Sequence, residues 1–254
     1  DFRNMTLEEA QTYSLPFERV EQLVKPDRQR TQPDGTFVMR KARAERWWQH
    51  AERAAGLYQA IEALDHVVAI SVVSKVVMPL RVNARQVFSS ALAVFATSDY
   101  GDLAFLSSNL HQAWAIKYGS GLRNDTRYTP SDVFETLVKP EITPHLRGLG
   151  QALDERRRRM MAERGLGITS LYNLVNDPTA TADLEVAHIR DLHVEIDNEV
   201  VAAYGWSDLS LAHGFSSYRQ MERFTLSPAA RVEVLDRLLE ENHRCAGLEV
   251  SDDG

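Results

Sequence analysis

The stretch "SSNLHQAWAIKYGSGLRNDTRYT", residues 107–129, joins a helical segment to a polar turn. Ser107 or Ser108 is a typical helix N-cap and Gly119 a typical stop, so the first half predicts a helix. The second half holds two glycines, two arginines, an asparagine and an aspartate, which excludes the middle of a helix. We therefore expect a loop rich in hydrogen-bonding groups, carried by a folded scaffold.

The composition is that of an ordinary globular protein. The chain has 254 residues, of which 44% are hydrophobic and 26% charged, and this length is enough to bury a core. No apolar run approaches the roughly 20 residues that span a bilayer. The single Cys245 excludes a disulfide framework and suits a reducing cytoplasm. Because the chain begins with Asp1 and not with Met, we expect it to be part of a larger protein.

The charge is unevenly distributed along the chain. The net charge is −7, yet residues 25–150 carry +4, whereas residues 1–24 carry −3 and residues 151–254 carry −8. A basic middle between acidic ends can mark a segment that binds a polyanion, although chance scatter of surface charge gives the same picture.

Turn residues and hydrophobic periodicity predict an α+β fold with a small β-sheet and flanking helices, followed by an all-α C-terminal region. We expect three domains: N-terminal helices and a loop (1–45), an α+β domain (46–145) and a helical region (146–254). A helix is predicted over 42–64, and strands within 66–82, 86–98 and the short 102–107 "DLAFLS". Further helices should end at Gly165 and Gly205, and a last one should begin at Ser227.

Three features have both a functional and a structural interpretation. Trp47 and Trp48 could stack on a base, but one ring in the core and one at an interface is the commoner arrangement. "ERRRRMM" (155–161) could clamp a phosphate, although four successive arginines point all around a helix and favour a solvated linker helix. His188 and His193 are five residues apart, a poor spacing for one metal ion. No glycine-rich phosphate loop, GxSxG or HExxH motif is present.

Five segments occur together in an order that resembles a known family. They are "WWQHAERAAGLYQAIEALDHVVAISVVSK" (47–75), "FLSSNLHQAWAIKYGSGLRNDTRYTPSDVFETLVKPE" (105–141), "GITSLYNLVNDP" (167–178), "IRDLHVEIDNEVVAAYGWSDL" (189–209) and "RVEVLDRLLEENHR" (231–244). The series resembles the C-terminal part of type II restriction-modification enzymes, single bacterial chains of phage defence that fuse an adenine-specific DNA methyltransferase to an endonuclease, and of related stand-alone methyltransferases.

The resemblance covers about residues 20–245. Its most specific pieces are S-S-x-x-H-x-x-W (107–114) and D-x-x-V-x-x-x-Y-G-W (197–206). In that family this part is the target recognition domain followed by a helical tail. One departure follows Thr136, where the family continues with Phe-Pro and this chain reads "LVKPE".

The resemblance implies a sequence-specific double-stranded DNA recognition module of a larger adenine-specific methyltransferase, itself without a catalytic centre. The Asn-Pro-Pro-aromatic motif and the glycine-bearing loop for S-adenosylmethionine are absent from this sequence. We therefore expect no cofactor or metal in this chain, with S-adenosylmethionine and Mg²⁺ bound only by other domains. The expected partners are double-stranded DNA and the parent's methyltransferase domain. The alternative is a protein–protein docking module that holds the methyltransferase and nuclease domains.

The chemistry of base readout suggests the contact residues. Arginine pairs with guanine and asparagine with adenine in the major groove, so Arg123, Asn124 and Arg127 are predicted to contact base edges. The residues predicted to contact phosphates or the groove are Lys75, Arg81, Asn83, Arg85 and Ser120. A structural salt bridge from Arg127 to Asp125 or Asp132 is the competing interpretation.

The tail is predicted to pack onto the preceding domain. An apolar stripe along residues 184–200 is too wide for an isolated helix to leave in water. It consists of Leu184, Ile189, Leu192, Ile196 and Val200. Tyr204 and Trp206 should anchor the end of this helix.

Overall fold

The computed structural model describes residues 2–50, 54–122, 125–218 and 221–252. The chain divides into two compact units, residues 1–60 and 61–254. The three-domain division at residues 45 and 145 stays a prediction.

Helices dominate, and the strands are short. The helices of residues 1–60 are α1 (Leu7–Gln11), α2 (Ser14–Leu23), α3 (Lys25–Arg28), α4 (Lys41–Glu45) and α5 (Ala55–Ala60). Those of residues 61–254 are α6 (Tyr100–Ser107), α7 (Asn109–Tyr118), α8 (Pro130–Val133), α9 (Pro144–Arg164), α10 (Ile168–Val175), α11 (Leu184–Ala203) and α12 (Pro228–Asp252). The strands are β1 (His66–Ser71), β2 (Val73–Ser74), β3 (Leu80–Asn83), β4 (Leu92–Phe95), β5 (Ser120–Leu122), β6 (Asp125–Arg127), β7 (Gly214–Tyr218) and β8 (Met221–Thr225). The predicted α+β class is confirmed.

In the described parts of the chain, the strands form three separate antiparallel sheets. Their orders are β3-β1-β4, β2-β6-β5 and the hairpin β7-β8. The run 66–82 was predicted as strand, and it divides between the first two sheets: β1 and β3 belong to the first, and β2, which begins after Val72, belongs to the second. Pro79 lies in the connection between β2 and β3, where no ladder hydrogen bond requires an N–H.

The predicted helix over residues 42–64 is wrong. Helix α4 ends at Glu45, and the chain turns before α5 begins at Ala55. The side chain of Arg28 donates to the carbonyls of Trp47 and Gln49, so these oxygens bind a guanidinium where a helix would need them for its own ladder. Ala54 has a φ of 46°, which also lies outside the right-handed helical region.

The predicted strand "DLAFLS" is instead part of helix α6. The carboxylate of Asp99 accepts hydrogen bonds from the N–H groups of Gly101 and Asp102, which starts a helix. All the residues of 103–107 are buried, so the continuous apolar run is that of a helix enclosed on every side. Periodicity alone does not separate this case from a buried strand.

Helices α6 and α9 pack at a close crossing that only glycine permits. A Cβ atom on Gly150 would lie 1.9 Å from the backbone oxygen of Tyr100. A Cβ on Gly101 would lie 2.1 Å from a methyl carbon of Ile142, just before α9, and 3.1 Å from the side chain of Arg147 in α9. Side chains of both helices therefore meet in one core with almost no gap between the backbones.

The C-terminal region is not wholly helical, because the hairpin β7-β8 separates α11 from α12. The predicted helix ends are confirmed: Gly165 adopts a left-handed φ of 63° after α9, and Gly205 a φ of 78° after α11. The hydroxyl of Ser227 accepts from the N–H of Ala230 at the start of α12.

The prediction that the tail packs onto the preceding domain is confirmed. The buried apolar residues of α11 belong to the same core as residues of β1, α6 and α7. These α11 residues are Val186, Ile189, Ile196, Val200 and Val201. Leu184 is an exception, since it is 72% exposed. The rings of Tyr204 and Trp206 stack 4.4 Å apart, and the Tyr204 hydroxyl donates to the carbonyl of Val138.

Candidate nucleic-acid interface

The β2-β6-β5 sheet presents one face to solvent. Arg127 lies directly opposite Val73 on one side and Ser120 on the other. Directly paired residues of antiparallel strands point to the same face, so these three side chains form a row across the sheet. All three are exposed, Val73 to 42%. The opposite face is covered, as Thr126 is 5% exposed.

Two lysines flank this exposed face. Lys75 follows the end of β2, and Lys117 lies in the last turn of α7, three residues before Ser120. Both side chains are exposed. We call Lys75, Lys117, Ser120 and Arg127, together with Val73, the sheet face. Lys117 was not among the predicted residues, because a lysine near a helix C-terminus is an ordinary interaction with the helix dipole.

The cations of the sheet face are unusual in having no internal partner. Within the described part of residues 61–254, nearly every lysine and arginine forms an ion pair, a hydrogen bond to a protein oxygen or a contact with an aromatic ring. Among those described residues, the side chains without such a partner are Lys75, Lys117, Arg127 and Arg159. Three of the four belong to the sheet face.

Helix α7 holds the sheet in place from beneath. Tyr128, the residue after Arg127, is 1% exposed, and its hydroxyl lies 3.0 Å from Nε2 of His111. Nδ1 of His111 lies 2.7 Å from the carbonyl oxygen of Leu106, so Nδ1 carries the proton and Nε2 accepts from the tyrosine. Burial lowers the pKa of His111 to about 4, and the ring is therefore neutral at neutral pH.

Gly119 makes the turn from α7 into β5 possible. A Cβ atom at this position would lie 2.4 Å from the carbonyl oxygen of Ala115 and 2.9 Å from that of Arg127. Both are backbone atoms and cannot move aside cheaply. The backbone of Arg127 is therefore fixed both by the turn at Gly119 and by the buried neighbour Tyr128.

A buried carboxylate joins the tail to α7. Asp197 on α11 accepts from the backbone N–H and the side-chain amide of Asn109, each at 2.7 Å, and lies 2.7 Å from Nε2 of His213. Asp197 and Asn109 belong to the two most specific segments of the resemblance. These segments meet in the interior, where they support α7 and hence the sheet face.

The other predicted contact residues are Arg81 and Asn83 on β3, in the β3-β1-β4 sheet, and Arg85, which follows the end of this strand. The guanidinium of Arg81 lies 4.7 Å from the centre of the Tyr100 ring, and its Nε donates to the carbonyl of Ser98. The side-chain oxygen of Asn83 accepts from the N–H of Arg85 at 2.7 Å. Arg85 pairs with Asp65 at 3.4 Å, with both side chains 82% exposed. Arg81 and Arg85 thus already have internal partners, and their assignment to phosphates stays a prediction.

Arg123 and Asn124 lie outside the described residues, so their predicted base contacts stay predictions. The competing interpretation of Arg127 does not hold among the described residues, where no carboxylate pairs with its guanidinium.

The run "ERRRRMM" is neither a solvated linker nor a phosphate clamp. Arg156 pairs with Glu185 at 2.9 Å, and Arg158 pairs with Asp154 at 2.8 Å. Arg157 is completely buried. Arg159 alone of the four lacks a partner among the described residues, so the four side chains do not act together on one ligand.

The two tryptophans and His193 have structural roles, whereas His188 is exposed. Trp47 is 4% exposed and packs on Phe17, and Nε1 of Trp48 donates to the carbonyl of Met5. His193 is buried 2.6 Å from the Tyr172 hydroxyl, and burial lowers its pKa to about 3. In the described parts of the chain, no three His, Cys, Asp or Glu side chains gather as metal ligands would.

No protein-family model matches the sequence, and no curated protein matches it either. A solved enzyme structure shares the fold. It is the Type IIL restriction-modification enzyme MmeI in complex with DNA, with a TM-score of 0.58 and 16% sequence identity. The match covers 96% of this chain and 28% of the enzyme's chain. The predicted relation to restriction-modification enzymes is thus confirmed at the level of the fold. Among the described residues, no helix is both long and apolar enough to cross a membrane.

Proposed function

We propose that this chain is the sequence-specific double-stranded DNA recognition module of a larger adenine-specific restriction-modification methyltransferase, and that it has no catalytic centre of its own. The observation that carries the proposal is the clustering of Lys75, Lys117 and Arg127 around one exposed sheet face, cations that have no partner among the residues that the structure describes. Nearly all the other lysines and arginines that the structure describes in residues 61–254 are engaged within the protein. The likeness in fold to an enzyme solved with DNA supports the same conclusion.

The dimensions of the sheet face suit the major groove. Adjacent strands lie about 4.8 Å apart, so three strands span about 10 Å between the outer two. The major groove of B-DNA is about 12 Å wide and admits a two-stranded ribbon or a helix. Each strand here has two or three residues, and the sheet is therefore small in both directions.

The residues divide by chemistry into two kinds of contact. Lys75 and Lys117, at the borders of the face, neutralise backbone phosphates and position the module. Arg127, in the middle strand, offers a planar fork that matches the O6 and N7 acceptors of guanine. Ser120 adds a hydroxyl beside it. Arg123 and Asn124, between β5 and β6, are proposed to extend the base contacts.

Affinity of the chain alone for DNA should be low and strongly dependent on salt. The net charge of −7 repels a polyanion, so the few cations of the sheet face act against the field of the rest of the surface. We propose that the parent's methyltransferase domain supplies the remaining phosphate contacts, and that the protein is cytoplasmic.

Binding to a labelled duplex of mixed sequence, measured by fluorescence anisotropy across a salt series, tests the proposal. Lys75→Ala and Lys117→Ala should each reduce the slope of log K against log salt by about 0.9. Arg159→Ala is the matched control, since it removes a cation that has no partner among the described residues and is not on the sheet face, and it should leave the slope unchanged. Equal slopes for all variants, or an equal loss in the control, would refute the proposal.

Base specificity is tested separately with the parent enzyme. Arg127→Ala should relax the preferred base at one position of the methylated site, at a cost of roughly 1–3 kcal/mol for a lost bidentate pair. Sequencing the methylated sites of the variant measures this change. A site that stays as strict as that of the wild type would show that Arg127 does not read a base.

The methyl donor is expected to bind elsewhere in the parent. The sequence has no Asn-Pro-Pro-aromatic motif, so the chemistry that holds a target adenine and S-adenosylmethionine has no matching residues here. Titration calorimetry of the chain with S-adenosylmethionine should give no measurable heat of binding. Binding in the micromolar range would contradict the non-catalytic role.

A docking module for the methyltransferase and nuclease domains is the second candidate, and the first unit of the chain favours it. Tyr13, Leu15 and Leu23, at or within α2, are 52%, 78% and 64% exposed. Large apolar side chains grouped on one short segment are typical of an interaction surface. Leu15→Ser with Leu23→Ser should weaken assembly with the methyltransferase domain and leave the salt slope of DNA binding unchanged.

A further inference from the structure

Residues 75–81, which comprise the connection between β2 and β3 and the first two residues of β3, are held through their carbonyl oxygens by arginines from the C-terminal half of the chain. Nη2 of Arg223 on β8 donates to the carbonyl of Lys75 at 2.6 Å. Nη1 of Arg157 on α9 donates to the carbonyl of Pro79 at 3.1 Å. The neighbouring Arg158 donates to the carbonyl of Arg81. The segment that begins at a lysine of the sheet face is thus attached to arginines 77 or more residues away in the sequence.

Two of these arginines are buried charges without a counter-ion. Arg157 is 0% and Arg223 5% exposed. Among the described residues, neither has a carboxylate within ion-pair distance. Burial lowers the pKa of Arg223, which expresses the unfavourable free energy of keeping a charge in the interior. Replacing such a charge by an apolar side chain is often neutral or stabilising.

The hydrogen bonding of Arg223 is incomplete, so stability alone does not account for it. Its Nε and Nη1 atoms have no partner among the described residues. Apart from the Lys75 carbonyl, Nη2 has only a weak contact with the sulfur of Met221 at 3.5 Å. The one strong bond of this buried guanidinium is therefore the bond to the backbone of Lys75.

That bond lies where the β-ladder ends. Val73 and Ser74 pair with β6, and no ladder pair continues to Lys75. The backbone of Lys75 is consequently fixed by the Arg223 side chain at the point where sheet pairing no longer fixes it. A lysine side chain loses much rotamer freedom when it binds a phosphate, and a fixed backbone limits the additional entropy that is lost.

We propose that Arg223 is a positioning residue, which holds the backbone of Lys75 so that the lysine ammonium meets a DNA phosphate beside Arg127. This inference rests on the proposed function. Arg223 itself touches no DNA, because its nitrogen atoms are enclosed. The tail is then part of the DNA-binding apparatus and not only a support for the core.

A double-mutant cycle on the whole chain tests the inference, with anisotropy of a labelled mixed-sequence duplex as the measurement. The slope of log K against log salt is about 0.9 per phosphate contact. One lysine–phosphate contact therefore strengthens binding about eightfold at ~0.1 M salt relative to 1 M salt. Lys75→Ala should therefore weaken binding by up to about eightfold. Arg223→Met should weaken DNA binding of the wild-type chain about threefold or more. In a chain that already carries Lys75→Ala, the same substitution should weaken binding by less than about 1.5-fold, because the effects of coupled residues are not additive.

Arg231→Met is the matched control. Arg231 is on α12, and its guanidinium lies 4.0 Å from the ring centre of Tyr218 on the same hairpin as Arg223. The structure gives it no bond to residues 75–81 among those described. Its removal takes away the same charge, so it measures the purely electrostatic effect, which should be smaller than that of Arg223→Met and additive with Lys75→Ala.

Each outcome decides between the two levels of the argument. If Lys75→Ala binds like the wild type, the sheet face does not contact phosphates, and the proposed function and this inference both fail. If Lys75→Ala weakens binding but Arg223→Met does not, or if its effect equals that of Arg231→Met, only the positioning role is overturned. Should Arg223→Met fail to fold, Arg223→Lys serves, because it keeps the charge on a shorter side chain without the planar fork and should weaken binding similarly.

Discussion

Substitution of Gly150 by alanine tests the packing that places α6 and α7 beneath the sheet face. An added Cβ would lie 1.9 Å from the backbone oxygen and 2.8 Å from the backbone carbon of Tyr100, whereas ordinary contacts begin near 3.4 Å. The obstructing atoms belong to the backbone of α6. Relief of the clash therefore requires α6 and α9 to separate by about 1.5 Å, not a side chain to rotate.

Two opposing contributions set the magnitude. Alanine gains about 1 kcal/mol over glycine in a helix interior. Overpacking typically costs about 1–3 kcal/mol and occasionally more. When the two helices move apart, a gap of about 0.5–1 Å removes roughly a quarter to a half of the dispersion energy of each contact along the crossing. With a cost of about 3–4 kcal/mol at so short a distance, Gly150→Ala should lower the free energy of unfolding by about 2–3 kcal/mol.

Gly148→Ala supplies the control on the same helix. Nothing lies within 4 Å of a Cβ at this position, so the helix propensity acts alone and the variant should be stabilised by up to about 1 kcal/mol. Urea unfolding followed by tryptophan fluorescence measures both variants. A Gly150→Ala protein as stable as the wild type would refute the close crossing of α6 and α9.

Three further predictions concern pH and the tail. Hydrogen bonding to Arg164 lowers the pKa of Asp183 to about 2. This pair therefore stabilises the fold above pH ~4, and its contribution is lost as the pH falls towards 2. Asp183→Asn, which keeps an N-cap, should remove this pH dependence from a plot of urea midpoint against pH. Burial lowers the pKa of His111 to about 4 and that of His193 to about 3, below the value near 6.5 of an unfolded chain. As the pH drops below about 6.5, each of the two histidines should therefore lower the free energy of unfolding by up to about 1.4 kcal/mol per pH unit. An unchanged urea midpoint between pH 7 and pH 5 would contradict this. Tyr204→Phe should lower the free energy of unfolding by about 1–2 kcal/mol, because a partly buried backbone carbonyl loses its donor, and calorimetric unfolding measures it.

The sequence by itself determined where several helices begin and end. Ser108 caps α7, and Gly165 and Gly205 terminate α9 and α11 with positive φ. These features depend on contacts within three or four residues, and such contacts are fixed by the sequence itself. The apolar stripe of α11 likewise predicted that the tail packs onto the core.

Tertiary contacts decided the secondary structure of the segments whose hydrophobic pattern is ambiguous. The run 102–107 is a helix because it is enclosed by the rest of the core, and a fully buried helix has no polar face to show a period. The chain leaves the helical path after Glu45 because the distant Arg28 binds the carbonyls of Trp47 and Gln49. Neither cause is visible in a local window of sequence.

The candidate site divides in the same way. Residue chemistry alone pointed to Lys75, Ser120 and Arg127, since bidentate donors on a turn suit a nucleic acid. Their common face depends on the pairing of β6 with both β2 and β5, strands more than 40 residues apart, and Lys117 joins them only because α7 ends at that sheet. Whether a cation is free to bind a ligand depends on which partners the fold brings to it. The fold gives Arg157 and Arg223 backbone carbonyls in the interior and leaves Arg127 in water, although as residue types the three are identical.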